Sequence, residues 1–238
     1  MRNVQVETIE KYVGENVKDP YGRVIGKLIG FYSDVDGIVT AVEIAKGDLG
    51  FETVSIERID ITAEGVKVLP EWKSEALNVA AQFDRAKKRA KALEDLYAKN
   101  EIPRHAYEEF KKKVDAAISR LKSKNQEVKA LLRRRMGELE DEIVHIEKAL
   151  TAMKMSYIAG EISERAYKAA AEALRSSRDK DLDEKNDIKK MLEKLTKLEE
   201  EPAQLSTPVQ APAKPTIPED APAVPIDDQA IFVEVVES

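Results

Sequence analysis

The chain has 238 residues, 35% of them charged and only 5% aromatic, with a formal net charge of −6; that length allows one or two compact units. It has no cysteine and two histidines, His105 and His145, which excludes disulfides, thiolate metal sites, cysteine nucleophiles and histidine-rich metal centres. No secretory signal is present, and no run approaches the roughly 20 apolar residues of a membrane span. The sequence therefore reads as soluble and intracellular.

Glycine and proline punctuate local structure, and here they divide the chain in three. Eight of the ten glycines lie in residues 1–70, and seven of the ten prolines lie in 202–225. Between Pro103 and Pro202 there is no proline; because a helix-interior proline costs about 3 kcal/mol, that span reads as helix. Charge follows the same division, at −4 for residues 1–70, +3 for 71–201 and −5 for 202–238. Within the middle, residues 73–135 hold 18 basic and 9 acidic groups, whereas 136–201 hold 12 and 17.

In residues 1–70, β-prone runs at 16–18, 24–32, 38–45, 52–55 and 66–69 alternate with turns such as Asp19-Pro20-Tyr21-Gly22 and Asp34-Val35-Asp36-Gly37. That spacing predicts a small antiparallel barrel. Gly22, Gly26 and Gly30 lack the Gly-Lys-Ser/Thr ending and the following helix of a phosphate loop. The segment Val13-Gly14-Glu15-Asn16-Val17-Lys18-Asp19-Pro20-Tyr21-Gly22-Arg23-Val24-Ile25-Gly26-Lys27-Leu28 resembles the opening of a PRC-barrel domain. Val54-Ser55-Ile56-Glu57-Arg58-Ile59 resembles that family's closing segment. The resemblance implies an assembly module rather than an enzyme. A generic barrel whose glycines serve only its turns accounts for the same residues.

In the middle, Ala76, Val79, Phe83, Ala86, Ala90, Leu93 and Tyr97 follow the 3.5-residue period of a coiled-coil seam. Tyr107, Phe110, Val114, Ala117, Leu121, Lys124, Val128 and Leu131 continue it. After Leu132 the phase slips, and a new seam starts at Met136, placing a stutter at Gly137. Residues 97–107 and 157–167 match at an offset of 60: Tyr97, Asn100, Glu101, Ile102, Ala106 and Tyr107 correspond to Tyr157, Gly160, Glu161, Ile162, Ala166 and Tyr167. Asn100 and Gly160 suit helix ends, and Pro103 and Ser163 suit helix starts. Three antiparallel helices are predicted, at about 73–99, 103–159 and 163–200, with the outer two meeting near the stutter. The stretch Arg175–Asp187, with Leu182 its only hydrophobe, weakens the third helix. A rod that buries so little apolar area is expected to self-associate, as a homodimer or filament.

Glu138, Glu140, Asp141 and Glu142 read as solvated coiled-coil charge, because catalysis needs a pocket that shifts pKa values. Both histidines read as surface residues, and Trp72 as the contact docking barrel on rod. No catalytic, metal or cofactor-binding residue is predicted, and no cofactor. Three basic clusters stand out: Arg85, Lys87, Lys88, Arg89 and Lys91; Lys111, Lys112 and Lys113; and Arg133, Arg134 and Arg135. They are either solvated rod surface or a sequence-independent contact for double-stranded DNA or an anionic membrane. In the tail, 202–225 read as a disordered proline-rich linker. Residues 226–238 end in the β-prone run Gln229-Ala-Ile-Phe-Val-Glu-Val-Val-Glu-Ser238. That run suits a peptide adding a strand to a partner's sheet, or a strand returning to the chain's own barrel.

The expected fold class is therefore α+β: a PRC-like barrel (1–70), a three-helix antiparallel coiled coil (71–201), a linker (202–225) and a strand peptide (226–238). In this order the parts resemble the CdvA family of crenarchaeal cell-division proteins. The resemblance implies a non-enzymatic cytoplasmic scaffold, at the mid-cell membrane or nucleoid, that polymerises into filaments and binds DNA. It also implies recruitment of the ESCRT-III-like protein CdvB, whose winged-helix domain pairs with the C-terminal peptide; the matching positions are Ile231, Phe232, Val233, Val235 and Val236. A scaffold without a division role and a DNA-organising protein with an incidental tail are the rival readings.

Overall fold

Alternating apolar residues between glycine turns give strands that each bury one face. In the computed structural model, which describes residues 4–47, 50–62 and 65–200, six strands form one sheet. They are β1 (Asn16–Lys18), β2 (Val24–Ser33), β3 (Val39–Ala45), β4 (Phe51–Ser55), β5 (Ile59–Thr62) and β6 (Gly65–Val68), in the order β4-β3-β2-β1-β6-β5. Leu28, Val42, Ile44, Val54, Ile59 and Val68 turn inward and pack with Ile9 of the short helix α1 (Val6–Ile9) into a single apolar core. Gly26 is required where β2 passes β3, because a Cβ there would lie 2.3 Å from the carbonyl oxygen of Ala45.

Two features depart from the expected antiparallel barrel. A 3₁₀ turn at Ile56–Arg58 leads into β5, which the residue pattern did not separate from the segment before it. The β5–β6 hairpin then returns so that β6 lies beside β1 in parallel, with Lys18 opposite Lys67. The other four strand pairs are antiparallel.

The rest of the unit is helical: α2 (Glu71–Ala98), α3 (Arg104–Ile158) and α4 (Glu164–Glu200). At 1.5 Å per residue α3 is roughly 80 Å long. The chain reverses where the 60-residue repeat predicts. Asn100 and Gly160 have φ of +58° and +75°, the left-handed conformation that ends helices. Glu101 and Glu161 N–H groups donate back to the Leu96 and Ser156 carbonyls, and Ser163 Oγ accepts from the Ala166 N–H at 3.3 Å. The matching tyrosines stack across each reversal, Tyr97 on Tyr107 at 4.2 Å and Tyr157 on Tyr167 at 4.9 Å between ring centroids. The repeat therefore encodes two copies of one hairpin tip.

Between the tips, α2, α3 and α4 come together around Trp72, Phe83, Leu132, Leu139, Ile188 and Leu195. Leu132, rather than the seam residue Leu131, is fully buried, since here α3 meets a helix on each of two sides and one 3.5-residue stripe cannot serve both. Gly137 lies within continuous α3. Asn125, also fully buried, donates Nδ2 to the Leu195 carbonyl and to Glu199, while Lys129 pairs with Glu199 at 2.6 Å; a single buried amide of this kind fixes helix register. Beyond this centre the rod thins to two helices. Residues 104–124 and 147–158 of α3 include no fully buried side chain. Among the described residues, no helix is long and apolar enough to cross a membrane.

Candidate functional site

The residues that join sheet to rod come from a turn and from the least hydrophobic stretch of α4. In the turn between β1 and β2, Asp19 Oδ1 accepts from the backbone N–H groups of Tyr21 and Arg23, at 2.9 and 2.8 Å, and Gly22 takes φ +82°. The turn carries Tyr21 and Arg23 onto α4. Arg23 donates to Asp19 at 2.9 Å, to Asp181 at 2.7 Å and to Glu184 at 2.6 Å. Glu184 is 2% exposed and also accepts from Trp72 Nε1 at 3.0 Å and from Arg135 Nε at 3.0 Å. Arg135 reaches Glu138 and Glu142 as well, at 3.1 and 3.2 Å. Beside this network, Tyr21 donates to Asp187 at 2.7 Å, and Lys73 shares the same carboxylate oxygen.

Burial pushes the Glu184 carboxyl upward, but donors from Arg135, Trp72 and Arg23 outweigh it and hold the group below its usual range. Burial likewise pulls Arg23 down, and its hydrogen bonds to Glu184 and Asp181 reverse the sign. Burial, followed by the hydrogen bond to Asp187, raises the Tyr21 phenol far above its usual value. With every partner paired, the cluster is suited to clamping two folded parts together. Its carboxylates are consumed by cations, so it offers no spare base.

Sequence reasoning missed this junction, apart from Trp72, which is buried there as the docking contact. Asp181, Glu184 and Asp187 recur every three residues on α4, placing them on one face, and that spacing was the available signal. The clustered carboxylates of α3 are exposed, and Glu138, Glu140 and Glu142 pair with Arg135 or Lys185. Both histidines are exposed.

The basic clusters separate. Arg85, Lys88, Arg89 and Lys91 are exposed on α2, with Lys87 half-buried, and Lys112 and Lys113 are exposed on α3 of the same arm, with Lys111 half-buried. Arg89 and Lys113 line one groove. Lys113 also pairs with Glu109 at 2.6 Å, and Lys111 lies over the Tyr107 ring at 5.7 Å. Arg133 and Arg134 are exposed roughly 30 Å farther along α3, while Arg135 turns into the carboxylate junction. Ile231, Phe232, Val233, Val235 and Val236, with the linker before them, lie outside the described residues.

The CdvA-like coiled-coil domain family matches residues 71–216, starting at the first residue of α2. Cell division protein A of Sulfolobus acidocaldarius is 39% identical over 202 residues, covering 85% of this chain and 84% of that protein. The chain belongs to the CdvA family. An alignment of that length is longer than residues 71–238 can supply, so the likeness to the Sulfolobus CdvA relative extends into the N-terminal sheet. No solved structure matches the chain.

Proposed function

We propose that the chain is a non-enzymatic cell-division scaffold that self-assembles into filaments, binds double-stranded DNA without sequence preference, and recruits an ESCRT-III-like protein through its C-terminal peptide. The observation that carries the division role is the 39% identity to Cell division protein A across 85% of the chain. The six-stranded sheet, with its Asp19-to-Gly22 turn and the obligatory Gly26, serves as a PRC-type assembly module fixed to the rod at Glu184. The rod gives reach, and its peripheral position at the division membrane follows from the partner the tail holds. DNA contact rests on the exposed cations of the α2–α3 arm, whose attraction to phosphates is long-range and salt-dependent.

Recruitment is tested by pull-down of the CdvB-type winged-helix domain with the full chain and with residues 226–238 deleted. Retention only by the full chain is expected, and equal retention refutes the adaptor role. Alternate side chains of a strand face opposite ways, so Ile231, Val233 and Val235 share one face; Val233→Asp is expected to abolish peptide binding in calorimetry. For DNA, replacing Lys87, Lys88 and Arg89 by Glu is expected to weaken binding and flatten its salt dependence, measured at protein concentrations below those of self-association.

A further inference from the structure

Two packed helices cannot cover the whole apolar stripe of an amphipathic helix, and the arms of this rod show the remainder. On the α2–α3 arm, Leu93, Leu96, Phe110 and Val114 line an open apolar groove of about 600 Å³ with Arg89 and Lys113 at its rim. Phe110 is 53% exposed. On the α3–α4 arm, Met155 and Ile158 are 66% and 74% exposed. Along that arm α4 presents Glu172, Asp179 and Asp183 beside Ala171, with Lys168, Arg175 and Lys180 among them. The halves of the helical region are opposite in charge: residues 73–135 have 18 basic and 9 acidic groups, and residues 136–201 have 12 and 17.

We propose that the groove of the basic α2–α3 arm receives the acidic α3–α4 arm of a second copy of this chain. The pairing rests on the self-assembly reading above and names the surfaces that carry it. Each arm supplies what the other lacks, namely further helices to cover the exposed Phe110 or Ile158 stripe and a charge of opposite sign. Two arms of like kind would bring the same charges together. Two rods lying antiparallel satisfy both arms at once and close as a dimer, whereas a staggered pairing leaves one arm open at each end and grows as a filament.

Reciprocal charge reversal tests it in the full chain. One variant carries Arg85→Glu, Lys88→Glu and Arg89→Glu; the other carries Glu147→Lys, Glu172→Lys and Asp183→Lys; all six positions are exposed. In sedimentation velocity each variant alone is expected to lose the assembly that the parent shows and to run as monomer. An equal mixture is expected to regain it, because every reversed arm then finds a complementary one. If either variant alone assembles like the parent, self-association uses another surface and this pairing is wrong. A mixture that remains monomeric is equally contrary to it. A parent that is itself monomeric overturns the self-assembly reading together with the pairing. The parent gives a check independent of substitution: its assembly should weaken between about 0.1 M and about 1 M salt, as the screening length falls from about 10 to about 3 Å, and salt-indifferent assembly contradicts the proposal.

Discussion

The centre of the rod and its arms are built from the same helices and the same kind of sequence, yet they solve different problems. At the centre, three helices and a sheet turn enclose both apolar side chains and charges, so Leu132 and Glu184 are almost wholly withdrawn from water. In the arms two helices share one seam, and Phe110, Met155 and Ile158 remain largely exposed. Helix number, not hydrophobic content, separates the two regions. The centre holds itself together, and the arms are left to be completed by another molecule.

The comparison can be broken by substitutions graded from centre to tip. Glu184→Ala should have the largest effect, because it strands Arg135, Arg23 and the Trp72 indole N–H together; losing one partner of a buried ion pair costs about 3–5 kcal/mol. Urea unfolding measures this, and a loss under about 1 kcal/mol, the scale of an exposed pair, would place the junction among ordinary surface salt bridges. Leu132→Ala belongs in the same range, about 2–5 kcal/mol for a buried leucine. At a tip, Gly160→Ala forces a Cβ into φ +75° and should cost about 1 kcal/mol, whereas Gly160→Asn should be better tolerated. Phe110→Ala should change stability of the monomer by no more than about 0.5 kcal/mol, the ordinary surface range, while weakening self-association.

Acid sharpens the same contrast. Glu184 is held below its usual range in the folded chain, so its contribution is complete above the unfolded value of about 4.3. That contribution is lost as pH falls through the lower folded value. Stability measured from pH 6 downward should fall with a component that Glu184→Gln removes; an unchanged acid slope in that variant contradicts the assignment.

Much of this architecture was legible because it is written in local chemistry. Glycines and prolines mark the turns, and the 60-residue repeat places Asn100 and Gly160 where left-handed residues end helices. The α+β class follows from those marks. β5 was not separable because Ile59–Thr62 is short and follows a 3₁₀ turn, and its parallel neighbourhood depends on distant chain return. The junction was missed for a deeper reason. Residues 175–187 look like a weak helix when judged by hydrophobic periodicity, since their value lies in carboxylates matched to Arg23 and Arg135, each more than 40 residues away along the chain. Arg135 sits in a run of three arginines that sequence alone treats as equivalent; only the fold gives it a different task from Arg133 and Arg134.

Hydrogen exchange of the full chain, followed by mass spectrometry at a concentration where it is monomeric and again where it is assembled, tests the contrast most directly. Amides of residues 125–139 and 181–195 should exchange slowest in both states. Residues 104–120 and 147–170 should exchange faster in the monomer and gain protection on assembly. Equal protection along α3 in the monomer, or assembly that leaves both arms unchanged, would contradict the division into a self-sufficient centre and arms that await a partner.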